Sequence, residues 1–159
     1  MVNRLDDKGD KMIEVDLVVE DAIAAYDLYE EVFNTVKVNG TNYKKGDGLN
    51  EVIFLLEGVQ FHLLDASSGF GFLTPVQGET RPIWINLILD DAKSVYQRAI
   101  QKGFNVIFPL TDMPEFGLFN GVIEDPFGHR WVLEELYREI SFEERTSLLA
   151  KKFDQVKGE

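Results

Sequence analysis

The chain repeats itself at an offset of 70 residues, and this repeat limits its possible fold more than any other feature. VDLVVEDA at 15–22 lines up with INLILDDA at 85–92, placing Leu17 on Leu87, Asp21 on Asp91 and Ala22 on Ala92. The match continues with Tyr26 on Tyr96, Val36 on Val106, Gly58 on Gly128 and Leu63 on Leu133. Solenoid repeats are shorter, about 20–50 residues, so the pattern reads as one supersecondary module present twice.

The first copy shows what the module is. Ile13, Val15, Leu17 and Val19 alternate with Met12, Glu14, Asp16 and Val18, the period of a half-buried strand. Asp21 can cap a helix in which Ala22, Tyr26, Tyr29 and Phe33 recur at three- and four-residue steps. Strands at 36–38, 51–56 and 59–64 follow, separated by turns at Asn39-Gly40 and Glu57-Gly58. In the second copy, 83–90 reads as a strand, 91–102 as a helix and 105–109 as a strand. Two more strands flank the turn Asp125-Pro126-Phe127-Gly128.

The expected fold is therefore α+β: two tandem βαβββ modules forming an open, cup-shaped mixed β-sheet about a pseudo-twofold axis, plus a C-terminal helix. We expect a flexible tail at 1–10 and a single domain at 11–136, made of module one (11–66), a Gly- and Pro-containing linker (67–82) and module two (83–136). A helical extension occupies 137–159. There Ser141 to Glu144 fits a capping box, and Phe142, Leu149, Phe153 and Val156 form an apolar stripe. This helix could clasp a dimer, cover a pocket or pack on its own sheet.

Composition narrows the partners. The 159 residues are 45% hydrophobic, enough for one core, and 28 Asp+Glu against 16 Lys+Arg give a net charge of −12. That balance argues against nucleic acid and anionic membranes. Cysteine is absent, which excludes disulfides and thiolate chemistry. No run reaches the roughly 18 apolar residues of a membrane span, and MVNRLDDKGDK has no signal-peptide core. These features predict a soluble, cytoplasmic protein.

The faces of the strands locate a candidate site. Ile13, Val15 and Leu17, with Ile85, Leu87 and Leu89, form an aliphatic face that the helices should cover. The opposite face then carries Glu14, Asp16, Trp84 and Asn86. By the same repeat, Phe61, Leu63, Trp131 and Leu133 fall on the covered side. Gln60, His62, Leu64, Arg130, Val132 and Glu134 then point into the cup. Buried polar groups without partners cost about 1–3 kcal/mol each, so this face should be wet or paired, and an aromatic wall beside it suits a small-molecule site. Phe70 and Phe72 in the linker, and Phe116 and Phe119 before the last hairpin, are expected near the mouth as a gate or buried against an edge. The ligand-binding set is Glu14, Asp16, His62, Trp84, Asn86, Arg130, Val132, Glu134, Phe116 and Phe119. Its acidic members favour a neutral or cationic ligand. His62 could act as a general base if Glu14 orients it. His129 should hydrogen-bond backbone at its turn.

The string DPFGHRW, closing a βαβββ unit, resembles the vicinal oxygen chelate (glyoxalase, bleomycin-resistance, extradiol dioxygenase) superfamily, and within it the PhnB-like branch. In metal-dependent relatives four inward positions, from the first and last strand of each module, hold a divalent ion. The matching positions here are Glu14, His62, Trp84 and Val132. Glu14 and His62 could ligate, whereas an indole and an isopropyl group cannot. Asp16, Asn86 or Glu134 could add an oxygen ligand, but each lies two residues along its strand, about 6–7 Å away. The resemblance thus implies a metal-free cup binding a small aromatic or amphipathic molecule, in a homodimer whose modules pair within or between chains. The alternative is a divalent-metal enzyme, a glyoxalase-type lyase or isomerase or a dioxygenase, using Glu14 and His62. Whether there is turnover stays open.

Overall fold

The computed structural model describes residues 12–76, 78–79 and 82–158. The tail expected at 1–10 lies outside them, as do three linker positions. Module one comprises β1 (Val15–Val19), α1 (Ala22–Val32), β2 (Thr35–Gly40), β3 (Glu51–Leu56) and β4 (Val59–Asp65). Module two comprises β5 (Ile85–Ile88), α2 (Ala92–Gln101), β6 (Asn105–Met113), β7 (Leu118–Glu124) and β8 (Arg130–Leu136), and α3 (Phe142–Lys157) follows. Each module forms a four-stranded mixed sheet, ordered β1-β4-β3-β2 and β5-β8-β7-β6, with a parallel pair at one edge. This is the α+β architecture the repeat implies.

The duplication extends to the helix caps. Asp21 and Asp91 accept from the backbone of Ala24 and Ser94, both at 2.9 Å. Asp65 reaches back from the end of β4 to the Ala22 amide at 2.7 Å, and Glu135, seventy residues on, does the same for Ala92 at 2.9 Å. Each helix is thereby tied to the last strand of its own sheet, with an anion at its positive end.

Strand ends depart from the expected bounds. Ile13 is 85% exposed and precedes β1, so it does not join the covered face, which begins at Val15. Ile83 and Trp84 likewise precede β5 and are exposed. β6 runs on to Met113, past the expected stop at Pro109. Proline lacks a ladder donor, but β6 is the outer strand of its sheet and its pairing with β7 slips between Phe108 and Thr111, so no partner is denied a bond.

The covered faces and both helices merge into one hydrophobic cluster. Tyr29, Phe54, Leu63, Trp131 and Leu133 are all fully buried in it. The Phe61 and Trp131 rings, from equivalent strands of the two modules, lie 6.0 Å apart, and Tyr29 meets Trp131 edge-on at 5.4 Å. At the centre of this cluster sits a carboxylate, Asp125, with no exposure. It accepts from Tyr29 Oη at 2.5 Å and Trp131 Nε1 at 3.0 Å, and from the amides of Phe127 and His129 at 3.0 and 2.9 Å. His129 also reaches across the modules, its Nε2 lying 2.8 Å from the Val18 carbonyl of β1. The histidine does bond backbone, though in the other module. Arg98 of α2 completes the joint by donating twice to the Val32 carbonyl at the end of α1, both at 3.1 Å.

Burial pushes the Asp125 carboxyl above the usual carboxylate range, against the pull of His129 and its hydrogen bonds, and it lifts the Tyr29 phenol well above its usual value. A carboxyl with a raised folded-state pKa contributes stability that is complete below the unfolded-state value and is lost as pH rises through the folded-state value. The free energy of unfolding of the native chain, measured in urea, should therefore fall relative to that of Asp125→Asn as pH is raised from about 4 to 7. A constant difference would refute this.

Candidate functional site

Module one gathers acids around one histidine. Asp16 on β1 stands opposite His62 on β4, so both side chains leave the same face of the sheet. His62 is 6% exposed. Its Nε2 is 2.8 Å from Glu51 Oε2, while Nδ1 is 3.6 Å from Glu14 Oε1 and 3.5 Å from Asp16 Oδ1. Glu14 in turn accepts from Gln60 Nε2. With the Nε2 proton given to Glu51, the buried Nδ1 has no hydrogen-bond donor or acceptor at bonding distance. A nitrogen lone pair turned toward two carboxylates is a set of donor atoms that a divalent ion could share.

One donor atom from each of Glu14, Asp16 and His62 falls within a 4.8 Å span. This corrects the expectation that Asp16 is out of reach. The separation along β1 is real, but cross-strand register puts Asp16 beside His62 and lets its side chain converge with that of Glu14. Module one thus offers three ligands of the types that bind borderline and hard divalent ions. The matching positions of module two, Trp84 and Val132, offer none: Trp84 is 43% exposed ahead of β5 and Val132 is buried. Glu51 was missed from the sequence because β3 was read only as a strand. Its signal was available, as the single charge in EVIFLL at the same parity as Ile53 and Leu55.

Module two builds a different surface. Asn120 and Glu134 are cross-strand partners on β7 and β8, and the Asn120 amide donates to Glu134 Oε1 at 3.0 Å. Together with Asn86 they floor a cavity of about 630 Å³ walled by Met113, Phe116, Leu118 and Leu136. Its remaining wall comes from the extension, through Ile140, Arg145 and Leu149 among others.

The extension is fastened mainly at its start. The amides of Tyr137 and Arg138 donate to the Gly117 carbonyl, and Arg138 Nη2 donates to the carbonyls of Pro114 and Glu115 at 2.9 and 3.0 Å. Gly117 has φ of +69°, and a Cβ there would lie 2.6 Å from the Arg138 carbonyl oxygen, so only glycine admits this approach. Ser141 caps α3 through the Glu144 amide at 3.0 Å. Beyond that, Lys152 pairs with Glu115 and lies 4.9 Å over the Phe116 ring. No α3 residue is buried.

Other expected site residues serve the frame. Arg130 donates from Nε to Glu124 at 3.0 Å, a pair whose side chains are 10% and 1% exposed. Glu124 also accepts from the Gly78 amide at 3.0 Å, and Arg130 Nη2 donates to the Glu79 carbonyl at 3.1 Å. The pair therefore pins the connection between modules to the second sheet. Phe116 is buried, and Phe119 packs 5.5 Å from Tyr137. Phe70 and Phe72 stack on each other at 5.9 Å. Breaking a buried ion pair from one side costs about 3–5 kcal/mol because the remaining charge is stranded. Glu124→Ala should therefore destabilise the chain by about that much in urea unfolding, whereas a loss below about 1 kcal/mol would mean that Arg130 finds water instead.

The comparisons agree with this architecture. A family model described as Glyoxalase/Bleomycin resistance protein/Dioxygenase superfamily matches residues 11–133. The chain belongs to that superfamily. Uncharacterized proteins of Mycobacterium bovis and Mycobacterium tuberculosis are 30% identical over 141 residues, covering 87% of this chain and 91% and 82% of theirs. Among solved structures, the fosfomycin resistance protein FosX of Listeria monocytogenes, complexed with Mn(II) and sulfate, aligns with a TM-score of 0.61 at 16% identity. The alignment covers 86% of this chain and 98% of FosX. TioX from Micromonospora sp. ML1 aligns with a TM-score of 0.56 at 19% identity, covering 79% and 98%. At such identities the likeness is one of fold.

Proposed function

We propose that this protein binds a small aromatic or amphipathic molecule between the concave face of module two and α3. The carrying observation is the cavity itself, apolar on its walls and polar at the Asn86, Asn120 and Glu134 floor, of a size typical for small-molecule sites. Within the superfamily we place it in the PhnB-like branch, on the DPFGHRW turn, the non-ligand residues Trp84 and Val132, and the Arg-containing terminal helix. We take it to be cytoplasmic; no described helix is long and apolar enough to cross a membrane. A homodimer is supported by large apolar side chains left exposed at Phe70, Leu73, Ile83 and Phe153.

A neutral environment-sensitive dye such as Nile red tests the site. It should bind saturably at micromolar concentrations, and Leu136→Trp, which adds bulk at an already half-exposed wall residue, should weaken it about tenfold or more. Binding that ignores this substitution would move the site elsewhere.

A second reading rests on the buried, unbonded Nδ1 of His62. Glu14, Asp16 and His62 would hold a divalent ion, with Glu51 orienting the imidazole from Nε2. FosX, of the same fold, takes Mn(II). Such an ion would supply Lewis acidity toward a substrate oxygen, the chemistry of a lyase, isomerase or dioxygenase. Chelator-stripped protein should then gain about 2.7 kcal/mol from Mn²⁺, Ni²⁺, Zn²⁺ or Fe²⁺ at a hundredfold excess over Kd, a rise of roughly 5–10 °C in Tm. Asp16→Asn and His62→Ala should abolish the rise. No shift with any ion would remove this reading.

A further inference from the structure

Part of the cavity in module two is closed by residues outside the segment that the family model matches. The family segment ends at Leu133, whereas Arg138, Ile140, Arg145 and Leu149 line the cavity from beyond it. What the cavity accepts is therefore written partly in this chain's own extension, and the floor states the chemistry.

Three acceptor groups converge there. Glu134 spends Oε1 on the Asn120 amide, which leaves Oε2 with open lone pairs. Because Asn120 donates through Nδ2, its Oδ1 is an acceptor. The side chain of Asn86, on the neighbouring strand, has no hydrogen bond among the described residues and can turn its Oδ1 inward. Three acceptors, one of them anionic, match the three N–H bonds of a primary ammonium group. Among the other lining residues Arg145 and Glu139 carry opposite charges, and Arg138 donates to backbone carbonyls and pairs with Glu144 at 3.8 Å. The half-buried carboxylate thus sets the sign of the floor. The net charge of −12 enriches cations around the whole surface. The walls between floor and roof, Leu118, Leu136 and Leu149, are aliphatic.

Resting on the cavity reading above, we infer that the ligand is a hydrophobic primary amine. Its ammonium group is held by Glu134, Asn120 and Asn86, its apolar body lies along Leu118 and Leu136, and Leu149 of α3 roofs it.

Three isosteric probes, 4-phenylbutylamine, 4-phenylbutan-1-ol and 4-phenylbutanoate, decide the matter by calorimetric titration at pH 7 in low and in physiological salt. The amine should bind about tenfold or more tighter than the alcohol, and the carboxylate more weakly than either. In Glu134→Gln, which keeps an oxygen for Asn120, the amine's advantage over the alcohol should shrink to about twofold or less. Leu149→Ala should weaken amine and alcohol alike. Equal binding of amine and alcohol overturns the amine assignment and leaves the cavity reading standing. A preference for the carboxylate overturns it in favour of Arg145. An amine advantage that survives in Glu134→Gln overturns it in favour of general surface charge. If none of the three binds, both the inference and the cavity reading fail.

Discussion

The carboxylate of Asp125 is the point through which the two modules depend on each other. It belongs to the turn between β7 and β8, yet one of its donors, Tyr29, comes from the helix of module one. Removing it from water has a cost that only hydrogen bonds can offset, and the bond from Tyr29 exists only while α1 and the last hairpin are in place together. Tyr29 itself packs against the rings of Phe33, Phe54, Phe127 and Trp131. Hydrophobic burial supplies the drive for this contact, and the carboxylate selects one geometry for it.

With the covered faces committed to a shared core, the opposite faces were free to diverge. The modules keep equivalent caps and equivalent strand order, but their concave surfaces have different chemistry. Module one concentrates negative charge around a buried imidazole, with Glu14, Asp16 and His62 offering atoms within 4.8 Å of one another. Module two has replaced both of its matching positions by apolar side chains and opened an amphipathic cavity beneath the extension. A duplicated fold can in this way carry one site suited to a cation and another suited to an organic molecule. The ion pair of Arg130 with Glu124 shows that a charge on the inner face can equally serve the connection between the modules.

The repeat, the strand and helix order, the capping aspartates and the covered faces were all legible in the sequence. They follow from side-chain periodicity and local hydrogen bonding, which neighbours in the chain decide. Glu14 and His62 were also found in this way, by counting from Asp21 and Gly58. Asp16 was placed out of reach because distance was judged along one strand. Its convergence on His62 Nδ1 is a property of register between β1 and β4. Glu51 escaped notice for the same reason, since its relation to the imidazole exists only across β3 and β4.

The sequence by itself determined that two like modules fold, which faces they bury and which side chains remain available for chemistry. Tertiary structure alone decided that Arg130 would hold the connection to the second sheet, that Phe116 would lie under Lys152, and that the extension would wall a cavity over module two. The reason is physical. Alternation assigns a side chain to a face, but the partner it meets there comes from strands and helices tens of residues away, and charge, register and close glycine contacts settle that meeting only when the sheets are assembled.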